Sequence, residues 1–425
     1  MKKSKNPGKI LLVSTPWPLY TRPSIQLGTL KAYISSHLPD VPIEAHHFYL
    51  ALAESIGYKR YHAISERTWL AESIYAALLY PKRFRQIEKL FTREARRSPL
   101  LKKTGLKSLT DRTKKATRKF IEAINWPEVS LAGFSVSLCQ LTSALYFIKK
   151  IKRRHAGLII VIGGSSFSPD SAPRILGLFP EIDAVITGEG ELPLYRFIQN
   201  MNRFRHNDNF PVIKGVHTRF SIATGNHVDH FSQLATLKDL PLPDYDDYFA
   251  LLQSFDPQKS FFPTLPVEIS RGCWWIRTTK NKKSSGCAFC NLNLQWSGYR
   301  AKKTSRVISE FDRLTGRYRT LSLAIVDNVL PRDTSGEIFN HLKTLKKDLR
   351  LFSEIRASTP PAQLKSMRDA GMRELQVGVE ALSTGLLKKL KKGTTTIQNL
   401  EIMKNCECLG LINMSNLILQ FPGSE

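Results

Sequence analysis

The sequence lacks a long hydrophobic run. No apolar stretch approaches the roughly 18 residues that a membrane-spanning helix needs, and candidates such as Leu158–Ile162 have only the length of a strand. The first residues are basic, but the apolar stretch that follows them, Ile10–Val13, is too short for the core of a signal peptide. The sequence therefore argues against a membrane span and predicts a cytoplasmic protein.

Acidic residues are scarce relative to basic ones. The 425 residues include 63 Lys and Arg against 36 Asp and Glu, which gives a formal net charge of +27. Eleven of the basic residues lie in Phe91–Phe120, where only Glu94 and Asp111 oppose them. This excess favours an acidic partner, such as nucleic acid, an anionic membrane face or an acidic peptide. The alternative is a solvated helical face without a dedicated partner.

Cysteine is also sparse, and six residues in a cytosolic chain of this length do not indicate a disulfide framework. Three of them form the pattern Cys273-x13-Cys287-x2-Cys290, and no histidine occurs between His230 and His341. A structural zinc site would normally offer four ligands, whereas three thiolates on a 4Fe–4S cluster leave one iron open to a substrate or cofactor. The pattern favours the cluster, with zinc and unmetallated core cysteines as alternatives.

The first half of the chain alternates strand and helix patterns. Strands are predicted at Lys9–Ser14, Leu131–Ser135, Leu158–Ile162 and Ala184–Ile186. This succession indicates a Rossmann-like α/β domain with a parallel sheet, interrupted at about residues 48–123 by a basic helical insertion. Such sheets bind ligands at the carboxyl ends of their strands. The small and glycine-rich segments predicted there are Ser135–Ser137, Gly163–Ser166 and Gly188–Glu191. Taken singly, each of these glycines is also explained as a turn former.

The second half repeats the strand-and-helix pattern from Leu265 onward. Five strands are predicted, at Pro266–Ser270, Leu321–Val326, Leu351–Arg356, Leu375–Val379 and Ile412–Leu419. Five such units make part of a (β/α) barrel, and because the sequence stops directly after the fifth, we expect a truncated barrel. The predicted organisation is a domain over residues 1–205, a linker over 206–257 and the partial barrel over 258–425.

Several motifs together resemble those of one enzyme family. Glu268–Cys290 is similar to the cluster loop of radical S-adenosylmethionine (radical SAM) enzymes, and the preceding domain with its linker Pro241–Phe249 resembles the cobalamin-binding branch. More narrowly, the chain resembles the radical SAM proteins that mature ribosomally made peptides (RiPPs). The supporting motifs are Pro23–Lys31, Gly133–Gln140, Thr187–Glu191, Val326–Asn328, Val377–Thr384 and Leu419–Gly423.

The resemblance implies three cofactors and their sites. Cys273, Cys287 and Cys290 would ligate a 4Fe–4S cluster whose open iron takes S-adenosylmethionine, and no catalytic residue is assigned beyond these ligands. The residues implied for contacts with S-adenosylmethionine are Asp327, Asn328, Glu354, Gly378, Glu380 and Ser383. Those implied for cobalamin are Ser135, Ser137, Gln140, Gly163, Gly164, Gly188, Glu189 and Gly190. The sequence has no Asp-x-His-x-x-Gly motif, so any cobalamin would bind without a protein imidazole.

The implied reaction is C-methylation of a ribosomally made precursor peptide, with a reductant such as ferredoxin or flavodoxin supplying electrons. The basic residues of Phe91–Phe120 would steer an acidic leader peptide. Two alternatives stay open. A radical SAM methyltransferase or methylthiotransferase acting on nucleic acid ranks second, because no RNA-binding module is recognisable. The other alternative is an inactive, truncated remnant that only binds the cluster or cobalamin.

Overall fold

The chain forms two compact units. The computed structural model describes residues 8–206, 210–223, 231–258, 261–275, 277–278, 284–290, 292 and 298–424. Unit 1 comprises Met1–Leu234 and Leu240–Phe261, and unit 2 comprises Ala235–Asp239 and Phe262–Glu425. The segment 206–257, predicted as a linker, contributes mainly to unit 1, where its residues Tyr245 and Tyr248 are fully buried.

Unit 1 alternates strands with helices and carries a run of helices after its second strand. Its elements are β1 (Lys9–Ser14), α1 (Ile25–His37), β2 (Ile43–His47), α2 (Phe48–Ile56), α3 (Tyr58–Ser65), α4 (Thr68–Leu79), α5 (Phe84–Ala95), α6 (Pro99–Lys102), α7 (Leu106–Glu122), β3 (Val129–Ser135), α8 (Leu141–Lys152), β4 (Ile159–Gly163), α9 (Ala172–Leu178), β5 (Ala184–Ile186), α10 (Glu191–Gln199), α11 (Met201–His206), β6 (Val216–Thr218), α12 (Arg219–Ala223) and α13 (Asp246–Gln253).

The sheet of unit 1 has six strands in the order β2-β1-β3-β4-β5-β6. The first five strands in this order are parallel, and β6 runs antiparallel to β5. The predicted α/β class with a parallel sheet is therefore confirmed. The strand order reverses between β1 and β3, as in flavodoxin-like folds, and such a reversal is where open α/β sheets bind ligands.

The inserted helices α2–α7 are packed against the helix that follows β3. The rings of Phe48 in α2 and Phe147 in α8 lie 4.7 Å apart between centroids. The carboxylate of Glu72 in α4 accepts from Leu141 N (3.1 Å) and Thr142 N (3.0 Å) at the start of α8. Because these N–H groups have no partner within their own helix, Glu72 caps α8 and couples the insertion to the sheet's ligand edge.

Unit 2 also alternates strands and helices. Its elements are β7 (Leu265–Val267), β8 (Ser270–Gly272), β9 (Arg277–Thr278), β10 (Ser284–Ser285), β11 (Tyr299–Ala301), α14 (Thr304–Tyr318), β12 (Ser322–Ile325), α15 (Ser335–Thr344), β13 (Arg350–Arg356), α16 (Pro361–Asp369), β14 (Met372–Glu380), α17 (Thr384–Lys389), α18 (Thr396–Cys408) and β15 (Ile412–Leu417).

The main sheet of unit 2 is parallel, in the order β7-β12-β13-β14-β15. The strands of this sheet follow one another in chain order, with β8–β11 between β7 and β12 outside the sheet, as in the consecutive units of a β/α barrel. The prediction of Pro266–Ser270 as one strand is wrong, because β7 lies in this sheet whereas β8 pairs antiparallel with β11. The break falls where Ile269 N donates to the Asp327 side chain (2.8 Å) instead of to a strand. Among the described residues, no helix is both long and apolar enough to cross a membrane.

Candidate functional site

The loops after β1 and β3 meet at the ligand edge of unit 1. Gln140 Nε2 donates to Ser14 Oγ (3.2 Å) and to the Thr15 carbonyl (2.5 Å), and Gln140 Oε1 accepts from Ser137 N (3.0 Å). Gln140 is only 3 % exposed, so its amide fastens the two loops to each other. Ser135 and Ser137 are half-buried beside it. The structure thus brings three of the residues predicted for cobalamin together and gives Gln140 an internal bonding role.

Two glycines at this edge allow close contacts between main-chain segments of unit 1. Gly164 has φ +124° and Gly188 has φ +85°, conformations that residues with a Cβ rarely adopt. A Cβ on Gly164 would overlap the Val136 carbonyl oxygen, and one on Gly188 would overlap that of Ser232. Both glycines are therefore required by the packing of the loops themselves.

The other residues predicted for cobalamin after β4 and β5 also contact the fold. The Glu189 carboxylate accepts from Leu234 N (2.7 Å). A Cβ on Gly190 would lie 3.2 Å from Leu30 Cδ2, and one on Gly163 would lie 3.3 Å from the Ile186 carbonyl oxygen. These residues lie on the predicted edge, and their contacts with cobalamin stay a prediction.

One buried donor follows β1 at the same edge. Trp17 is 3 % exposed, and its Nε1 has no hydrogen-bond partner in the described part of the chain. A buried donor left without an acceptor costs roughly 1–3 kcal/mol. Cobalamin carries peripheral amide groups rich in acceptors, so the Trp17 indole and the hydroxyls of Ser135 and Ser137 fit this group chemically.

Three of the cysteines of unit 2 lie on the segment that follows β8. Cys273 and Cys287 are half-buried and Cys290 is exposed, and none of them is in a disulfide. Cys290 N donates to the Cys287 carbonyl (3.2 Å) in a tight turn, and Ala288 N donates to the Leu390 carbonyl (2.8 Å). Across the residues that the structure describes, no three Cys, His, Asp or Glu side chains converge closely enough to hold a metal ion.

The chemistry of the donor set fits an iron–sulfur cluster. Thiolates are soft ligands that select Fe–S clusters, zinc or copper(I), and this segment offers three of them. Burial raises the pKa of Cys287, while the positive charges of Lys392 and Arg356 oppose that rise. Residues 276 and 279–283 of the segment lie outside the described residues. Ligation by Cys273, Cys287 and Cys290 therefore stays a prediction.

Two tryptophans directly after the first cysteine anchor this segment to strand ends of unit 2. Trp274 Nε1 donates to the Leu330 carbonyl (2.9 Å), beyond β12, and Trp275 Nε1 donates to the Lys391 carbonyl (3.1 Å). Arg356, the last residue of β13, lies with its guanidinium 4.3 Å from the centre of the Trp275 ring and 5.6 Å from that of Trp274. These contacts fix the start of the cysteine segment at the carboxyl ends of β12 and β13.

Asp327 lies at the end of β12, as predicted, but both of its oxygens are engaged within unit 2. Oδ1 accepts from Ile269 N (2.8 Å), and Oδ2 accepts from Ser270 Oγ. Asp327 is 2 % exposed, and burial raises its pKa to about 7. The next residue, Asn328, is exposed. Asp327 thus joins β12 to the turn between β7 and β8, and contacts of either residue with S-adenosylmethionine stay predictions.

Three residues predicted for S-adenosylmethionine gather around a lysine at the ends of β13 and β14. Glu380 Oε1 accepts from Lys392 Nζ (2.8 Å). A Cβ on Gly378 would lie 2.7 Å from that Nζ, so the glycine leaves the space that the lysine occupies. Glu354 is half-buried, and its pKa is raised by burial and by the charge of Glu380. Ser383 makes a different contact. Its Oγ accepts from Leu386 N (3.3 Å) and caps α17.

Sequence reasoning missed three residues that organise this site. Asn399 is fully buried, and its Nδ2 donates to the carbonyls of Val379 (2.9 Å) and Ala381 (2.8 Å), on either side of Glu380. It thereby holds Glu380 at its φ of +62°. Lys392 and Arg356 were also missed. Only Arg356 carried a usable signal, because it is the last residue of a predicted strand.

The sequence comparisons point to one family for unit 2. Residues 268–424 match the family model described as the Radical SAM superfamily. The chain is 25 % identical over 300 residues to an uncharacterized methyltransferase of Pyrococcus horikoshii. The aligned region covers 68 % of this chain and 60 % of that protein. It is 24 % identical over 309 residues to the hopanoid C-3 methylase of Methylococcus capsulatus, covering 70 % of this chain and 55 % of that protein. The chain thus spans little more than half the length of these relatives.

Solved structures match over nearly the whole chain. OxsB, described as a cobalamin-dependent S-adenosylmethionine radical enzyme with aqua-cobalamin and S-adenosylmethionine bound, gives a TM-score of 0.65 at 17 % identity, over 97 % of this chain and 49 % of that one. TsrM of Kitasatospora setae, a radical S-adenosylmethionine methyltransferase with cobalamin and a 4Fe–4S cluster bound, gives 0.60 at 15 % identity, over 97 % and 69 %. At these identities the likeness concerns the fold alone. The chain therefore carries a radical SAM domain and shares its fold with cobalamin-dependent radical SAM enzymes.

Proposed function

We propose that the chain acts as a cobalamin-dependent radical SAM methyltransferase that C-methylates a ribosomally made precursor peptide. The observation that carries the proposal is the three-cysteine segment directly after the first strands of a parallel β/α sheet, inside residues 268–424 that match the Radical SAM superfamily. The methyltransferases among the relatives support the methylation. The motifs that resemble RiPP-maturing proteins support the peptide substrate.

In this function each unit would hold a different cofactor. Cys273, Cys287 and Cys290 would hold the 4Fe–4S cluster, and the loops after β1, β3, β4 and β5 would hold cobalamin. When bound, the cluster and S-adenosylmethionine supply radical chemistry at carbon and cobalamin supplies the methyl group. A reductant such as ferredoxin or flavodoxin, acting in the cytoplasm, would provide the electrons.

Other residues of unit 2 would orient the cysteine segment and bind S-adenosylmethionine. Trp274, Trp275 and Arg356 hold the cysteine segment against the strand ends. The carboxylates of Glu354 and Glu380 offer acceptors for the amino group or ribose hydroxyls of S-adenosylmethionine, with Lys392 balancing their charge. The polar side chain of Asn328 is exposed at the end of β12 and is available for the methionine moiety.

Electron paramagnetic resonance on the anaerobically reconstituted, reduced chain tests the cluster assignment. We expect a 4Fe–4S signal that changes when S-adenosylmethionine is added, which would establish an open iron site. Two exposed cysteines provide a matched pair of variants: Cys290→Ala should lose the signal, whereas Cys408→Ala should keep it. A chain that takes up zinc, or no metal, under the same conditions would exclude the radical SAM function.

A further inference from the structure

A cleft in unit 1 is lined by basic side chains of two helices and of the turn that follows the second one. It has a volume of about 200 Å³ and lies between α7 and α8. Its basic lining residues are Lys114, Arg118, Lys150, Arg153 and Arg154. Because α8 runs back from the carboxyl end of β3, its final turn lies toward the amino edge of the sheet, opposite the edge predicted for cobalamin. We name this feature the basic cleft.

Positive charge in the basic cleft is poorly balanced. Glu122 is 4.0 Å from Arg118 and 3.7 Å from Arg154, so one carboxylate serves two guanidinium groups. In the part of the chain that the structure describes, Lys114, Lys150 and Arg153 form no ion pair. By contrast Lys152, one residue before Arg153, pairs with Asp183 at 2.9 Å. The cleft therefore holds three cations without an ion pair among the described residues, beside two that share Glu122.

The cations of the cleft are close enough to act on one another. The pKa of Lys150 is lowered by burial and then by the charges of Arg153, Lys114 and Arg154. The Lys150 ammonium lies 5.3 Å from the centre of the Tyr146 ring, which holds it over the apolar floor of the cleft. A bound anion would relieve this repulsion, because it adds the opposite charge at the point where the positive charges converge.

The shape of the cleft favours carboxylates of a polypeptide over nucleic acid. Tyr146 is only 5 % exposed, beneath Lys150, so its ring offers no platform for stacking a base, which single-stranded nucleic acid sites use. The five basic residues border one small cleft, whereas phosphates of a nucleic acid are spaced regularly along a backbone. Guanidinium groups such as that of Arg153 bind carboxylates in a bidentate manner.

We propose that the basic cleft binds an acidic segment of a polypeptide, with its carboxylates among Lys114, Lys150 and Arg153. That this segment belongs to the peptide substrate rests on the proposed function. The structure also divides the basic stretch Phe91–Phe120: Lys114 and Arg118 line the cleft, and Lys115 does not. Lys150 of α8 and the two residues just after this helix, Arg153 and Arg154, complete the lining, a grouping that no local sequence pattern shows.

Binding of labelled peptides to the full chain tests the proposal. The probes are a fluorescent decaglutamate, a decaglutamine of equal length, and single-stranded RNA and DNA decamers, each followed by fluorescence anisotropy. We expect the chain to bind decaglutamate, to lose affinity as salt rises, and to bind decaglutamine at least about tenfold more weakly.

Two triple variants separate the cleft from the general basic charge. K114E/K150E/R153E should lower the affinity for decaglutamate at least about tenfold. K115E/K119E/K149E reverses as many charges on α7 and α8 outside the cleft lining and should change it less than about threefold. Circular dichroism checks that both variants fold, and the neutral variant K114Q/K150Q/R153Q replaces the first if it does not.

Several outcomes would overturn the proposal. Equal losses in both variants would show attraction by bulk charge alone, and equal binding of decaglutamine would show that carboxylates are not recognised. An oligonucleotide that binds more tightly than decaglutamate and depends on the same three residues would assign the cleft to nucleic acid. A normal 4Fe–4S signal in a chain that fails to bind decaglutamate would reject the cleft and leave the proposed function intact. The reverse result would reject the proposed function alone.

Discussion

The guanidinium of Arg356 lies 4.3 Å from the centre of the Trp275 ring, and its Nη2 donates to the carbonyl of Lys392. One buried side chain therefore joins the last residue of β13, the segment that carries the cysteines and the loop after α17. Arg356 Nε has no hydrogen-bond partner among the described residues. The Arg356 guanidinium thus faces two aromatic rings, one carbonyl and the side chain of Cys287, whose pKa its charge lowers.

Replacing Arg356 tests whether its contacts hold the cysteine segment in place. Lysine keeps the charge but lacks the planar group that stacks on Trp275. We expect Arg356→Lys to lower the free energy of unfolding by about 1–2 kcal/mol and to reduce the iron and sulfide bound after reconstitution. Arg332→Lys is the control, because exposed Arg332 lies 5.6 Å from the Trp274 ring alone. Equal stability and iron content in both variants would contradict the role of Arg356.

Gly393 leaves the space into which Trp275 packs. Its φ is +73°, and an added Cβ would overlap the Trp275 ring. Gly410 is a matched control, with φ +64° and no heavy atom within 4 Å of an added Cβ. Gly410→Ala should cost about 1 kcal/mol for the backbone conformation, and Gly393→Ala should cost about 1–3 kcal/mol more because of the overlap. Denaturant unfolding followed by tryptophan fluorescence measures both. Equal costs would mean that Trp275 does not occupy this space.

The sheet strands were predictable where burial makes them apolar. β1 has the predicted bounds, because an apolar run of strand length leaves few alternatives. β2 was missed, since Ile43–His47 is mostly polar, lies at the sheet edge and carries Glu44, which pairs with Lys9 (2.8 Å). β6, three residues inside the predicted linker, offered no pattern at all.

The position of a candidate site residue was predictable, but its partner was not. Asp327 and Gln140 follow strand ends as expected, yet both are bonded within the fold. Asp327 accepts from Ile269 N and Ser270 Oγ. Gln140 donates to Ser14 Oγ and to the Thr15 carbonyl. A strand end is a local property that residue patterns encode. Which group satisfies a carboxylate or an amide depends on residues dozens of positions away. For the same reason Arg356 and Lys392 could not be placed beside the cysteine segment.

The buried carboxyl of Asp327 should give unit 2 a measurable pH dependence. Its pKa is about 7 in the folded chain, against an ordinary value of 3.8 for an aspartate, because burial outweighs its hydrogen bonds to Ser270 and Ile269. Glu268 raises this pKa and Lys302 lowers it. The folded state therefore binds more protons than the unfolded state between these values, and the stabilisation is fully present below about pH 4 and is lost as pH rises toward about 7.

Asp327→Asn isolates that effect because the amide keeps the shape and cannot ionise. We expect the free energy of unfolding of the wild type, relative to the variant, to fall between about pH 4 and about pH 7 and to level off above. Denaturant unfolding across this range measures the difference. A difference that is constant with pH, or that grows toward high pH, would contradict the raised pKa. Isothermal titration with S-adenosylmethionine on the same variant tests its predicted contact separately.

The contributions of Glu380 and Lys392 to the free energy of unfolding should be strongly coupled. The two side chains form an ion pair and are only 16 % and 8 % exposed. Lys392→Met leaves two carboxylates, Glu380 and Glu354, close together without a cation, and we expect it to cost about 3 kcal/mol. Glu380→Gln should cost less, since Lys392 then faces a neutral acceptor.

The double variant E380Q/K392M should be more stable than the sum of the single losses implies, with a coupling energy of about 1–3 kcal/mol. The pair of Lys365 and Asp369, joined at 2.9 Å with Lys365 68 % exposed, provides the comparison cycle and should show much weaker coupling. Urea unfolding of all variants gives both cycles under one condition. Equal coupling energies in the two cycles would mean that the carboxyl ends of β13 and β14 are open to water. Gly378 would then not be needed to leave space for a buried lysine there.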